Sequence, residues 1–185
     1  VSAVGRFVHL LGPPRRSSGV SQRQPEDVWS YPRPPRLELF RGSLRVVHAG
    51  VEVARAATAQ RVLETSHPPT YYLPVDAFTE AGRSAMRPSA SRATACEWKG
   101  LARYVDLCLP GCDPLLAVGW TYPAPHPAFA GLKDHVALYA GPLDLCEVDG
   151  EAVQRQAGDF YGGWITSWIT GGARGFKGGP GTWGW

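Results

Sequence analysis

Residues 37–54 read LELFRGSLRVVHAGVEVA, and their pattern decides the fold class. Leu37-Glu38-Leu39, Leu44-Arg45-Val46-Val47 and Val51-Glu52-Val53-Ala54 alternate apolar and polar side chains, the period of a strand with one face buried. Ala49-Gly50 lies between the last two runs at a tight-turn position, so the stretch predicts a β-hairpin.

The same pattern recurs downstream. Thr94 to Trp98 and Leu101 to Leu107 flank Lys99-Gly100, Leu115 to Trp120 follows a Pro-Gly turn, and Leu143 to Val148 meets Val153 across Asp149-Gly150. Composition agrees: 22 Gly and 17 Pro among 185 residues are residues that helix interiors exclude. One short helix is expected in His126 to Val136, where Pro127 sits at a first helical position and Phe129, Leu132 and Val136 recur at helical spacing. The segment Thr58 to Glu64 is open between a strand and a second short helix.

With 44% hydrophobic residues, a chain of this length buries about 70% of the surface its unfolded form exposes, and disulfides are not needed. Cys96, Cys108, Cys112 and Cys146 form no CxxC pair, so they are expected as reduced, small apolar side chains, with no metal and no cofactor. A net charge of +3 gives no signal for nucleic acid. No window approaches the roughly 18 apolar residues of a membrane span, and a soluble, cytoplasmic chain is expected.

Pro13, Pro14, Pro25, Pro32, Pro34 and Pro35 fall in residues 12–36, which are expected to run extended, with neither ladder nor helix. Residues 1–24 read as a disordered extension and 25–153 as the β domain. Residues 154–185 are rich in Gly and Trp and are expected to fold back as a strap, because exposed indoles at Trp164, Trp168, Trp183 and Trp185 would be costly.

Three clusters carry candidate chemistry. In ETSHPPTYYLPVD, Pro68 and Pro69 stiffen a loop leading to Tyr71 and Tyr72, with carboxylates at Glu64 and Asp76 on either side. In CEWKGLARY, Lys99 sits at a turn, either solvated or aimed into a cleft where it pairs with Glu64 or holds an anion. Trp120 and Tyr122, with Tyr72 and Tyr104, have the makings of an aromatic pocket or of simple core packing. Cys96 lies among apolar residues and lacks the basic neighbour a nucleophile needs. His67, His126 and His135 fall at no metal or relay spacing, and no dinucleotide, Walker or nucleophile-elbow motif occurs.

Taken in order, VWSYPRPP, ETSHPPTYYLP with Asp76, CEWKGLARY, WTYP, DHVALY and the closing FKGGPGTWGW resemble the bacterial domain-of-unknown-function 427 family, sometimes labelled nucleotidyltransferase-like. The resemblance implies a small antiparallel β-tent, two sheets leaning over a pocket, similar in shape to the ligand-binding domain of cereblon and to methionine sulfoxide reductase B. It places Glu64, Tyr72, Asp76, Lys99, Gly100, Tyr104, Trp120 and Tyr122 on the family's signature positions. Related tents hold zinc with two CxxC pairs, which this chain lacks, and it shows no clustered carboxylates for a nucleotidyltransferase's magnesium.

Three functions follow as expectations. The first is a small-molecule site between Tyr72, Asp76, Tyr104, Trp120 and Tyr122. The second is a metal-independent enzyme using Glu64 as acid or base beside Lys99. The third is a partner-binding module acting through the Trp-rich tail.

Overall fold

The computed structural model describes residues 23–182. It is mainly β, with antiparallel pairing throughout the principal sheet, as the alternation predicts. The strands in chain order are β1 (Glu26–Asp27), β2 (Arg36–His48), β3 (Val51–Leu63), β4 (Thr70–Pro74), β5 (Met86–Pro88), β6 (Thr94–Cys96), β7 (Gly100–Leu107) and β8 (Leu115–Thr121). They continue with β9 (His135–Leu138), β10 (Leu145–Val148), β11 (Glu151–Ala152), β12 (Gln154–Arg155), β13 (Trp164–Ile165) and β14 (Ile169–Thr170).

Strands β2 and β3 form the long hairpin read from residues 37–54. Ala49 (φ 48°) and Gly50 (φ 73°) turn it in the left-handed region, which matches the twist of the paired strands. A bulge between Arg41 and Leu44 adds one residue on β2 and bends the pair. From this spine the principal sheet runs β11-β10-β2-β3-β4-β9-β8-β7-β5, with β6 also on β7. Hydrogen bonding is continuous along that path, so the two leaning halves expected of a tent are joined through β4 and β9.

Neighbouring tyrosines show how the layers divide. Tyr71 and Tyr72 are each 1% exposed, yet they face opposite sides of β4. Tyr71 packs in the larger core against Phe40 and Trp164, at ring distances of 5.0 and 5.6 Å. Tyr72 belongs to a second cluster with Val62, Trp120, Tyr122, Phe129 and Leu132. Burial on both faces brings each aromatic side chain roughly 1.5–3 kcal/mol of transfer free energy.

The tail folds back as expected. Trp164 and Trp168 are buried, and Trp164 Nε1 donates to the Leu138 carbonyl at 2.9 Å. Trp183 and Trp185 lie outside the described residues, as do residues 1–22 of the expected disordered extension.

One expectation is corrected and two are refined. Within the segment expected to have neither ladder nor helix, Glu26–Asp27 do enter a ladder, since β1 pairs in parallel with β14, and Val28–Ser30 form a 3-10 turn. Thr58 to Leu63 is strand, the second half of β3. Helical turns do occur in His126 to Val136, as the 3-10 segment Pro127–Leu132 with Pro127 at its start, but Val136 lies beyond them on β9, a central strand. The one α-helix among the described residues is α1 (Glu80–Ala85), capped by Thr79, whose Oγ1 accepts from Gly82 N at 3.0 Å. The four cysteines are free, and no helix of the described residues is long and apolar enough to cross a membrane.

Candidate functional site

The loop 64–69, between β3 and β4, is held from both sides. Thr65 N donates to the Pro32 carbonyl at 3.3 Å and Ser66 N to the Val28 carbonyl at 3.0 Å, while Thr65 Oγ1 reaches the Tyr31 carbonyl at 2.6 Å. From the other side, Lys177 N donates to the Ser66 carbonyl and Trp164 N to the Pro69 carbonyl, both at 2.9 Å. These bonds fix Ser66 in the left-handed region (φ 70°), a conformation that non-glycine residues adopt at a cost. The backbone of the loop is thereby tied to the segments on either side of it.

Beside this loop lies an inner chamber of about 100 Å³. Tyr72 from β4, Tyr104 from β7 and Trp120 from β8 line it, with Tyr122, Tyr139 and Tyr161. Trp120 Nε1 donates to Tyr72 Oη at 3.2 Å, so the Tyr72 proton is left for another acceptor. Tyr104 Oη and Thr94 Oγ1 share a hydrogen bond at 3.0 Å, and Tyr139 donates to the Phe160 carbonyl at 3.1 Å. Burial, reinforced by neighbouring phenols, raises Tyr122 and Tyr139 well above the usual tyrosine range. Burial does the same to Tyr72, against the smaller opposing effect of the Trp120 hydrogen bond. All three remain protonated phenols at neutral pH.

An outer chamber of about 350 Å³ adjoins it, lined by Arg33, Glu97, Trp98 and Lys177. Glu64, His67, Cys96 and Tyr161 belong to both walls. Arg33 bridges Glu64 at 3.1 Å and Glu97 at 3.4 Å, tying the Glu64 carboxylate to the rim. Lys99 lines the inner chamber on the turn closed by the Cys96 and Gly100 pair. His126 holds that turn, with its backbone N donating to the Lys99 carbonyl and its ring bonding the Trp98 carbonyl, both at 3.1 Å.

His67 stands at the junction. Its Nδ1 lies 2.9 Å from the Thr65 carbonyl, and a carbonyl only accepts, so Nδ1 carries the proton and Nε2 the lone pair. Its ring packs edge-on against Tyr161 at 4.8 Å. Desolvation lowers its pKa from the ordinary value, so the imidazole is neutral at pH 7.

Of the residues singled out from sequence, Glu64, Tyr72, Lys99, Tyr104, Trp120 and Tyr122 come together on one cavity. Asp76 does not join them. It is exposed on the 3-10 turn Val75–Ala77, beyond the end of β4 remote from the loop. Sequence reasoning missed Arg33, His67, Tyr139 and Tyr161 as wall residues. His67, Tyr139 and Tyr161 were visible only as members of SHPP, VALY and FYGG. Among the described residues no group of three His, Cys, Asp or Glu gathers to hold a metal ion.

A family model described as a domain of unknown function, DUF427, matches residues 36–149, from the first residue of β2 to the turn after β10. No curated protein matches the sequence. The matched span covers well over half of the chain and carries most of the cavity wall, and the chain therefore belongs to the DUF427 family.

Proposed function

We propose that this protein binds a small organic molecule in the two-chamber cavity, with a compact polar group between Tyr72, Tyr104, Trp120 and Tyr122 and a charged end near Glu64 and Lys99. The observation that supports this reading is convergence. Six residues spread from position 64 to position 122, on β4, β7, β8 and their flanking turns, line one space beside a loop fixed from both sides. An engineered apolar cavity of about 150 Å³ takes benzene, so the inner chamber of about 100 Å³ suits a group of only a few heavy atoms. The outer chamber, with cations and carboxylates, suits the remainder.

Among the described residues the tail favours this reading over partner binding through indoles, because Trp164 and Trp168 are spent inside the chain's own core. A thermal-shift screen of small polar metabolites tests the proposal. A ligand at 100 times its Kd stabilises by about 2.7 kcal/mol, or roughly 5–10 °C for a domain of this size. Trp120→Ala should abolish that shift. Hits that stabilise the Trp120→Ala chain equally would place binding elsewhere.

A further inference from the structure

We infer that the open groove on the sheet face turned away from the inner chamber is a second binding site, one that takes a medium-chain monocarboxylate. The inference is independent of the two-chamber cavity.

The groove follows from the alternation of the strands. Tyr104 on β7 pairs with Trp120 on β8, and both line the inner chamber. Arg103 and Thr121 are the next register pair on the same two strands, so they face the other side of the sheet. Val105 on β7 and Val136 on β9 line that side too, with Met86 from the edge strand β5 and Val75 from the turn after β4. The space they border is about 430 Å³, larger than either chamber of the cavity. Val75 is 36% exposed there, and an apolar surface left open to water in a concave site marks a place where something binds.

Charge gives the groove two unlike ends. Across the sheet the strands run β4-β9-β8-β7-β5. The β7–β5 end carries the exposed Arg103 and Arg87. Arg103 makes no hydrogen bond or ion pair with the described residues, and Arg87 bonds only the adjoining Met86 carbonyl, through Nη1 at 2.7 Å. Asp134 stands at the other end, exposed on the turn that leads into β9. An occupant that matches this division has an anion at the β7–β5 end and no second anion near β9. Two guanidiniums suit a carboxylate, whose oxygens accept from their planar forks. Neighbouring strands lie about 4.8 Å apart, so β7 and β9 are separated by roughly 10 Å, the extended length of a chain of about eight carbons. Such a chain, anchored at Arg103, crosses β8 and covers Val105 and Val136.

Octanoate is the probe. Met86 is the one methionine of the sequence and a wall residue of the groove, so a ¹³C label on its methyl group reports occupancy directly. Titration of the full chain with monomeric octanoate should shift that signal saturably. Affinity should rise by up to about fourfold for each methylene added between butanoate and octanoate. 1-Octanol lacks the anion and should bind about tenfold more weakly or worse. Octanedioate carries a second carboxylate toward Asp134 and should also bind more weakly than octanoate. Arg103→Gln, a surface change, should weaken octanoate about tenfold. Arg41→Gln should leave it unchanged, because Arg41 is an exposed residue of β2 that lines neither the groove nor the chambers.

A Met86 signal that does not move overturns the inference. So do affinities that ignore chain length, 1-octanol or octanedioate binding as tightly as octanoate, and equal affinities in the two arginine variants. Attachment to phosphatidylglycerol vesicles without binding of free octanoate also overturns it, and makes the face a membrane contact instead.

Discussion

The indole N–H of Trp120 donates to the Tyr72 hydroxyl at 3.2 Å, across two strands separated by β9. Both side chains are buried, at 8% and 1% exposure, so the pair is shielded from bulk water. Tyr72→Phe removes the acceptor and leaves a buried indole N–H unsatisfied, a loss of about 1–3 kcal/mol. With an m value of about 2 kcal/mol/M, the urea midpoint should fall by roughly 0.5–1.5 M. An unchanged midpoint would show that this bond contributes nothing to the fold.

Alkaline unfolding should be steep. Burial raises Tyr71 to about 12, and raises Tyr72 and Tyr122 further. Unfolded tyrosines ionise near pH 10, so above that pH the unfolded chain sheds protons the native chain retains, and stability falls. The stabilisation is complete below pH 10 and is lost as pH rises toward the folded values. Each phenol contributes up to about 1.4 kcal/mol per pH unit, so Tyr72→Phe should flatten the decline measured by urea titrations between pH 9 and 11.

The acid side has the opposite sign and a different residue. Desolvation keeps His67 neutral in the native state below its ordinary pKa of 6.5, while the unfolded chain takes up the proton. Stability is therefore undiminished above pH 6.5 and falls as pH drops toward the folded pKa, by up to about 1.4 kcal/mol per unit. His67→Gln should remove this part of the decline between pH 6.5 and 5. An identical slope in both proteins would mean that His67 is not desolvated.

The residues that made the fold legible are those with one wet face. Phe40, Leu44 and Val46 alternate with half-exposed neighbours on β2, and Asp149 (φ 51°) with Gly150 (φ 79°) forms the turn that Asp-Gly announces. Strand β9 escaped because Val136, Ala137 and Leu138 are all buried, which erases the alternation and leaves only an accidental helical spacing with Phe129 and Leu132. Helix α1, six residues long, is too short for a period to appear. The aromatic half of the site was visible because Tyr72, Tyr104, Trp120 and Tyr122 sit in distinctive local motifs. Nothing in the sequence marks the surroundings of His67, because the burial that lowers its pKa and the lysines that act on it, Lys99 and Lys177, come from distant segments.

Arg61 links the N-terminal segment to the sheet. Its side chain is 8% exposed and pairs with Glu26 on β1 at 3.0 Å and with Glu38 on β2. Breaking such a buried network costs about 3–5 kcal/mol. Arg61→Met should therefore lower stability by that amount and free residues 26–33, whose carbonyls hold Thr65 and Ser66. Faster proteolysis near residue 30 than in the unsubstituted chain checks the second effect. A stability loss without new cleavage would confine Arg61 to the core.

The strap's closure over the cavity depends on a glycine. A Cβ on Gly163 would lie 2.6 Å from Gln156 Oε1 and 2.7 Å from the Pro68 carbonyl oxygen, too close for any real side chain. Gly163 N also donates to Gln156 Oε1 at 2.9 Å, and the adjacent Trp164 N to the Pro69 carbonyl. Alanine there must push the strap away from loop 64–69, which carries His67, and strain those bonds. Gly163→Ala should cost about 1–3 kcal/mol, as overpacking does, and should speed cleavage between residues 155 and 163. Gly179 has no atom within 4 Å of its would-be Cβ, so Gly179→Ala should stay within about 0.5 kcal/mol. Equal stability and equal cleavage in the two variants would show that the strap packs less tightly on Pro68 than its backbone contacts require.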